Sequence, residues 1–262
     1  MEIIMNNQKI EISSCSLLGD RKTQQDYSRY ETKDGKTLAV VCDGMGGMAG
    51  GEASAVSAVS SIFEHFAVDA PMITSGNAPQ WFAKVFQDAD AIVTSLTDNT
   101  GRLLHGGTTI VAVMVENHGF HWGAVGDSRI YYFQRDKLHI LTRSHNYYLQ
   151  LDELVKAGEI TSEERDAEGR RGEALISYLG IGGLQLIDTS SEELPLSRGD
   201  VLVLCSDGIY KSLSEDQIQA ILEESGRDCR IMAERLCENA LRIAHLHQSR
   251  QDNTTAIVIQ SV

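Results

Sequence analysis

The chain has 262 residues, and its 23 Lys and Arg against 37 Asp and Glu give a formal net charge of −14 at pH 7. Because nucleic-acid phosphates are held by Lys and Arg, this balance argues against a nucleic-acid-binding protein. The apolar runs are shorter than the roughly 18 residues of a membrane span, and the N-terminus lacks the features of a secretory signal, so we expect a cytoplasmic protein without a membrane segment.

The apolar pattern of the first half predicts a strand, two helices and then a block of strands. The first strand is expected at residues 36–42, and the helices at 51–68 and 79–96. The strand block follows at 108–116, 120–125, 129–134 and 138–142. Turn signals between these strands indicate antiparallel hairpins.

The second half begins with a polar and charged segment over residues 143–183. Within it, Thr161-x-x-Glu164 has the pattern of a helical capping box, so we expect a helical or irregular insertion. Strands are predicted at 184–188, 201–205 and 254–259. Helices are predicted from the capping residue Ser214 to Glu224 and over 230–244.

The order of these elements favours an α+β fold. It does not show the regular alternation of strand and helix that a doubly wound sheet requires. Two mainly antiparallel sheets stacked on each other, with helices on their outer faces, suit the order better. With three prolines, no low-complexity stretch and no fixed repeat, the chain is predicted to form a single domain over 1–262.

Aspartates stand at the ends of several predicted strands. Asp43, Asp127 and Asp207 each follow an apolar run, and Asp252 precedes the last strand. An unpaired carboxylate beside a core is costly, whereas converging carboxylates form the oxygen-rich sites that hard divalent cations prefer. The glycines within 44–47 allow close backbone approach beside Asp43. A single Asp-Gly pair after a strand is most often an ordinary turn, so each aspartate alone leaves both interpretations open.

Six short motifs occur in order along residues 19–259. They are Gly19-x-Arg21-x-x-x-Gln25-Asp26, Asp43-Gly44-Met45-Gly46-Gly47, Gly107-Thr108-Thr109, Gly126-Asp127-Ser128-Arg129, Cys205-Ser206-Asp207-Gly208 and Asp252-Asn253-x-Thr255. Each motif is weak alone, but the ordered set resembles the metal-dependent protein phosphatase family (protein phosphatase 2C, or PPM, family) in its bacterial form. The resemblance covers nearly the whole chain.

This resemblance implies a four-layer α-β-β-α sandwich with two Mn²⁺ or Mg²⁺ ions in a cleft between the sheets. The metal ligands that it implies are Asp26, Asp43, Gly44 (through its carbonyl), Asp207 and Asp252. Asp43 would bridge both ions. Asp26 and Gly44 would bind one ion, and Asp207 and Asp252 would bind the other. A water activated at this binuclear centre would attack phosphorus. Arg21 matches the phosphate-binding arginine, whose planar fork suits phosphoryl oxygens.

Three departures from the family pattern bear on the expected site. Gln25 stands where many relatives have glutamate, which removes a charge beside one ion. In the family, an aspartate at the position of Lys211 is associated, together with the equivalent of Asp127, with a third and weaker metal. We therefore expect that third site to be impaired or absent. We also expect Asp127 to pair with Lys211. Residues 142–146 read Thr-Arg-Ser-His-Asn, where relatives commonly read Thr-x-Asp-His-Ser, at the start of a flap-like insertion of about 143–183.

The sequence thus predicts a metal-dependent protein serine/threonine phosphatase that hydrolyses phosphoserine and phosphothreonine. We expect its partners to be phosphorylated proteins, in particular those of a cognate Ser/Thr kinase. We also expect a monomer that binds neither nucleic acid nor membrane.

Two alternatives stand beside this prediction. Cys15 and Arg21 have the Cys-x₅-Arg spacing of cysteine phosphatases, although the residues between and around them fit that mechanism poorly. The chain could also be a catalytically weak pseudophosphatase that binds phosphoproteins or a partner, which Gln25, Lys211 and the altered flap motif favour. The four aspartates at 26, 43, 207 and 252 are all present, and this argues for an active enzyme.

Overall fold

The computed structural model of the protein describes residues 2–5, 8–47, 49–226 and 228–262. The strands in this part of the chain are β1 (Glu2–Met5), β2 (Gln8–Leu17), β3 (Asp26–Lys33), β4 (Lys36–Gly46), β5 (Gly106–Thr108), β6 (Ile110–Glu116), β7 (Gly119–Val125), β8 (Arg129–Gln134), β9 (Lys137–Ile140), β10 (Asp188–Thr189), β11 (Leu194–Pro195), β12 (Val201–Cys205) and β13 (Thr254–Ser261). They follow the predicted strand block and the predicted closing strand closely.

The helices lie before and after this block, as predicted. They are α1 (Gly50–Asp69), α2 (Ala78–Thr94), α3 (Tyr147–Ala157), α4 (Ser162–Ala167), α5 (Asp207–Tyr210), α6 (Glu215–Glu224) and α7 (Cys229–Leu246), with short 3₁₀ helices at Ala70–Met72 and Gly169–Arg171. The predicted capping boxes begin α4 at Thr161 and α6 at Ser214. Of the helices that the structure describes, none is both long and apolar enough to cross a membrane.

The strands form two antiparallel sheets. Over the described residues, the first sheet has the order β10-β7-β6-β4-β3, and β11 and β5 add to β7 and β4. The second has the order β1-β2-β13-β12-β8-β9. The β6–β7 and β8–β9 pairs are hairpins of neighbours in sequence, as the turn signals predict, and β3–β4 is a further hairpin.

The sheets stack face to face, with helices outside each. Leu38 and Val40 of β4 pack on the side of α1 and α2, whereas Val41 packs towards the second sheet. Because successive strand residues point to opposite faces, β4 is buried on both. A third apolar layer joins Val203 of β12 to Leu236 of α7. This is the predicted four-layer α-β-β-α sandwich.

Two regions differ from the sequence predictions. The predicted elements begin at residue 36, but β2 and β3 precede it; apolar residues such as Ile10 and Ile12 alternate with polar ones along β2, which marks a strand covered on one face. The predicted strand at 184–188 is wrong except at its last residue. The N–H groups of Gly183 and Leu184 donate to the carboxylate of Asp90 in α2 instead of to a neighbouring strand.

Candidate active site

Strands β3 and β4 place two aspartates side by side. Asp26 begins β3, Asp43 lies near the end of β4, and the two are partners in the antiparallel ladder. Asp26 is 5% exposed, whereas Asp43 is partly exposed. The first sheet therefore contributes one buried and one accessible carboxylate at the same point of its edge.

The second sheet contributes two more aspartates. Asp207 follows β12 and Asp252 precedes β13, and these strands are neighbours in the sheet. The backbone N–H of Ser206 donates to the Thr255 carbonyl at 3.0 Å. The Ser206 hydroxyl donates to Asp26 Oδ2 at 2.7 Å across 180 sequence positions. This bond joins the carboxylates of the two sheets.

The Gly107-Thr108-Thr109 motif holds the backbone of Asp43. The Asp43 carbonyl accepts the Thr109 N–H at 2.9 Å and the Thr108 hydroxyl at 3.0 Å. The Asp43 N–H donates to Thr109 Oγ1 at 3.1 Å. Since both peptide groups of Asp43 are satisfied in this way, its carboxylate projects from a fixed backbone.

Gly44 stands at a close approach of three chain segments. A Cβ there would lie 2.3 Å from the Gly51 carbonyl oxygen and 2.5 Å from that of Gln25, so a larger residue would displace the backbone. The Gln25 carbonyl accepts the Gly44 N–H at 3.1 Å, and Gln25 Nε2 donates to the Gly46 carbonyl at 3.2 Å. Gln25 therefore clamps the glycine loop with its neutral amide.

Asn253 holds the loop that carries Arg21. Its Nδ2 donates to the Leu18 carbonyl at 2.9 Å and to the Thr23 carbonyl at 3.1 Å. Its Oδ1 accepts the Gln25 N–H at 2.8 Å. One side chain beside Asp252 thus fixes both ends of the segment in which Arg21 lies.

The aspartates raise one another's pKa. The pKa of Asp26 is raised to about 7, chiefly by burial and also by the charges of Asp207 and Asp252, against hydrogen bonds that lower it. Burial also raises the pKa of Asp43 well above its usual range, together with the charges of the other four carboxylates. Burial and the charge of Asp207 raise the pKa of Asp127. Five carboxylates therefore lie close enough to interact electrostatically.

Two basic side chains neutralise part of this charge. Lys211 Nζ lies 2.6 Å from Asp207 Oδ2, and the Arg21 guanidinium forms an ion pair with Asp252. The expected direct pair between Asp127 and Lys211 is wrong, because the ammonium bonds Asp207. Lys211 nevertheless lowers the pKa of Asp127 through its charge.

These groups surround one cleft of about 310 Å³. Its lining contains Arg21, Gln25, Asp43, Gly44, Met45, Gly46, Thr109, Asp127, Glu173, Leu175, Asp207, Lys211, Asp252 and Asn253. Asp26 lies behind this lining, in contact through Ser206. Cys15 packs instead against the apolar layer beneath α7, so its thiol and the Arg21 guanidinium do not form the phosphate cradle of a cysteine phosphatase.

The donor set of the cleft fits a hard divalent cation. Carboxylates and a backbone carbonyl are the ligands that Mg²⁺ and Mn²⁺ prefer, and a cation would relieve the repulsion that raises the pKa values. Within the described ranges, no three His, Cys, Asp or Glu side chains already form a cluster that could hold a metal ion. Binding would require Asp252 and Asp207 to exchange Arg21 and Lys211 for the cation.

Comparison with known proteins identifies the family. A family model described as protein phosphatase 2C matches residues 17–242. The chain belongs to the protein phosphatase 2C family. The family predicted from the six motifs is therefore confirmed. The matched residues include those from Arg21 to Asp207, and Asp252 lies beyond them.

Similar proteins support this family membership. The serine/threonine phosphatase stp of Listeria innocua is 29% identical over 194 residues, which cover 74% of this chain and 75% of that protein. A solved serine/threonine phosphatase of S. agalactiae has 26% identity and a TM-score of 0.80, covering 96% of this chain and 99% of that chain. The catalytic domain of the phosphatase PstP, solved with two manganese ions, shares the fold at 24% identity and a TM-score of 0.73, covering 97% and 98% of the two chains.

In this protein phosphatase 2C family member, the segment 143–183 reaches the cleft. Its returning part pairs with its beginning: the Tyr148 N–H donates to the Gly172 carbonyl, and the Ile176 N–H to that of His145, both at 2.9 Å. This pairing brings Glu173 and Leu175 to the cleft wall. The helical content predicted for the segment is confirmed by α3 and α4.

The altered motif at 142–146 anchors this segment. Arg143 donates to both carboxylate oxygens of Asp188, at 2.8 and 2.9 Å. His145 is fully buried; its Nδ1 accepts the Gly126 N–H at 3.2 Å, and its Nε2 lies 3.1 Å from Asp188 Oδ2. Although burial raises the pKa of Asp188, the bonds from His145 and Arg143 hold it well below its usual range.

Several residues that shape the site were not singled out by the sequence. Ser206, Thr109 and Asn253 lie inside the quoted motifs, so the sequence indicates that they are near the site. It does not indicate the hydrogen bonds that they form there. Asp90 lies outside every motif, and it differs from its neighbours as a carboxylate on the buried face of α2, beside Phe86 and Val93. Its partners lie about ninety positions away, a distance that no local pattern reports.

Proposed function

We propose that this chain is a metal-dependent protein serine/threonine phosphatase that hydrolyses phosphoserine and phosphothreonine. The observation that carries the proposal is the convergence of five interacting carboxylates and an arginine on one cleft, in a member of the protein phosphatase 2C family. The activity predicted from the sequence is supported at this level by relatives that are serine/threonine phosphatases.

We propose two divalent cations, Mn²⁺ or Mg²⁺, as the cofactors. The residues that would hold them are Asp26, Asp43, Gly44 (through its carbonyl), Asp207 and Asp252. Asp43 would be shared, because it is the ladder partner of Asp26 and also interacts electrostatically with Asp207 and Asp252. When bound, the cations would supply Lewis-acid polarisation of the phosphoryl group and activate water for attack.

The chain's own groups would bind and orient the phosphate. Arg21 is 53% exposed at the cleft, so its guanidinium can turn from Asp252 to two phosphoryl oxygens of the substrate. Asn253 fixes the loop on which Arg21 lies. The hydrogen bonds of Thr108 and Thr109 keep Asp43 in place while its electrostatic surroundings change.

Lys211 bears on the proposed third metal. Its ammonium lies between Asp207 and the region of Asp127, where it lowers the pKa of Asp127. A positive charge there opposes a further cation, which supports our proposal that the third site is impaired or absent. The pseudophosphatase alternative gains little from this change, because the aspartates proposed as ligands still converge on the cleft.

The substrates of this enzyme would be phosphorylated proteins. That they belong to a cognate Ser/Thr kinase, and that the protein is a monomer, stay predictions. We further propose that residues 1–262 form one catalytic domain with the flap-like insertion at about 143–183. This is supported by the three apolar layers, which run through both sheets and both helix pairs.

The test is hydrolysis of a phosphothreonine peptide and of p-nitrophenyl phosphate in Mn²⁺, in Mg²⁺ and in chelator. We expect turnover with either metal and its loss in chelator. Cys15→Ser should retain full activity, because Cys15 lies away from the cleft. If the wild type shows no metal-dependent turnover, the pseudophosphatase is favoured. If turnover persists in chelator but is lost in Cys15→Ser, the cysteine mechanism is favoured.

A further inference from the structure

A second cavity, of about 540 Å³, lies beside the active-site cleft. We call it the side pocket; Met45, Gly46, Thr94, Leu103, Leu104 and Tyr178 line it. Its volume falls in the range of roughly 300–1,000 Å³ that is usual for ligand sites. It plays no part in the chemistry described above.

The side pocket adjoins the cleft. Met45 and Gly46 line both cavities and form a wall that the two share. Both follow Asp43 and Gly44 directly in β4. A peptide whose phosphorylated residue lies in the cleft can therefore place a neighbouring residue in the side pocket.

The two cavities differ in chemistry. The cleft contains the charged groups of Arg21, Asp43, Asp207 and Lys211, among others. Among the described residues that line the side pocket, none is Asp, Glu, Lys or Arg, and His105 is the one lining residue that can carry a positive charge. Leu103 at its wall is 58% exposed, although solvent contact of a large apolar side chain is unfavourable. An uncharged, apolar group is the occupant that this lining suits.

The walls of the side pocket are held in place by a buried carboxylate. Asp90 of α2 is 4% exposed and accepts the N–H groups of Gly180 at 2.7 Å and Gly183 at 3.0 Å, with two longer bonds from Gly182 and Leu184. Gly180 lines the pocket, as does Thr94, which lies one turn after Asp90 and donates to its carbonyl at 2.7 Å. The wall is therefore preformed.

The same segment is tied to the active site. Leu179 and Thr108 exchange backbone hydrogen bonds of 3.0 and 2.9 Å, and the Thr108 hydroxyl donates to the Asp43 carbonyl. Tyr178 lies against Gly107, where a Cβ would be 2.5 Å from its ring. These contacts fix the distance between the pocket wall and the carboxylate at the centre of the cleft.

We propose that the side pocket binds an apolar side chain of the phosphoprotein substrate, close in sequence to its phosphorylated serine or threonine. The inference rests on the proposed phosphatase function and specifies the substrate class. Three observations carry it: the shared wall at Met45 and Gly46, the lining without Asp, Glu, Lys or Arg, and the preformed loop held by Asp90. The pocket selects substrates by burial of apolar surface, whereas the cleft binds the phosphate that all of them share.

The experiment compares phosphothreonine peptides with alanine at every flanking position and peptides in which one leucine replaces alanine at successive positions on either side. We expect leucine at one or two of these positions to raise kcat/KM about tenfold. Leu103→Asp, which places a charge in the pocket, and Thr94→Trp, which fills it, should each remove that preference. Turnover of p-nitrophenyl phosphate, which has no flanking residues, should be unchanged in both.

Met72→Asp is the matched control. Met72 is an exposed apolar residue before the first turn of α2, at the opposite end from Thr94. This variant should keep the leucine preference of the wild type.

Peptide binding to Asp43→Asn, measured by fluorescence anisotropy, separates the side pocket from catalysis. Tighter binding of the leucine peptide without turnover in the wild type would support the pocket and contradict the phosphatase. The pocket proposal is overturned if no position favours leucine in either measurement, or if the preference persists in both pocket variants.

Discussion

The two halves of the active site carry their negative charge in different ways. In the first sheet, Asp26 is buried with a hydroxyl as its partner, and Asp43 lies among four other carboxylates. In the second sheet, Asp207 and Asp252 have exposed fractions of 16% and 38%, and each pairs with a basic side chain. A bound metal ion would therefore relieve more charge repulsion in the first half than in the second, where Lys211 and Arg21 already pair with the two aspartates.

This difference indicates that the two proposed metal ions bind with unequal affinity. An ion at Asp26 and Asp43 would relieve repulsion between a buried and a partly exposed carboxylate without displacing a protein cation. An ion at Asp207 and Asp252 would compete with Lys211 and Arg21. The free energy needed to break each ion pair would therefore lower the affinity of the second half for its metal ion.

The largest expected effect comes from Asp43, which both halves share. Asp43→Asn should lower kcat by about 10³-fold or more, the magnitude typical of losing a group that organises transition-state charge. Asp88→Asn, at a half-exposed aspartate of α2 that is not part of the cleft lining, is the matched control and should retain activity. If Asp43→Asn turns over substrate about as fast as the wild type, this carboxylate is not shared by the two proposed metal sites.

Arg21 tests the second half. Arg21→Ala should lower kcat/KM for phosphopeptides by about 10²-fold, because the phosphate loses a two-pronged donor. The same change frees Asp252 and should strengthen Mn²⁺ binding, measured by calorimetry. Arg21→Lys keeps the charge without the fork, so it should recover only part of the activity. Weaker metal binding in Arg21→Ala would contradict the competition between Arg21 and the cation.

The pH dependence of stability tests the first half. In chelator, Asp26 has a pKa raised from its ordinary 3.8 to about 7, so the folded state binds more protons than the unfolded state between these values. Stability should therefore fall as the pH rises from about 4 to about 7, seen as a lower melting temperature. Asp26→Asn should flatten this slope, and Mn²⁺ should reduce it. A melting temperature that rises over this range would contradict the raised pKa.

Lys211 gives the smallest expected effect. Lys211→Met removes the ammonium and should raise the Mn²⁺ affinity of the second half several-fold with unchanged stoichiometry. Lys211→Asp adds a carboxylate beside Asp127 as well, and it should bind one further ion. Calorimetric titration of both variants separates the two effects. Identical stoichiometry in the wild type and Lys211→Asp would remove Lys211 as the cause of an impaired third site.

The sequence predicted the site well where the signal is local. Asp43 and Asp207 end strands whose apolar runs are continuous, and the glycines beside Asp43 indicate the close approach that Gly44 makes to Gly51. The layered fold followed from the order of strands and helices. Such features depend on neighbours in the chain, which a single sequence shows directly.

Contacts between distant segments could not be predicted in the same way. The bond between Ser206 and Asp26 spans 180 positions, and Lys211 could pair with either of two aspartates until the turn of α5 placed it beside Asp207. The strand predicted at 184–188 failed for the same reason, since the Asp90 carboxylate in α2 accepts the N–H of its first residue, Leu184. Tertiary partners decided each of these cases.

The most direct test of the account is calorimetric titration of Mn²⁺ into the wild type and Asp43→Asn. If Asp43 unites two unequal halves, the wild type should bind two ions with distinct affinities, as expected of a two-metal site. Asp43→Asn should lose the tighter one and weaken the other. Equal stoichiometry and affinity in the two proteins would contradict a metal centre built on Asp43.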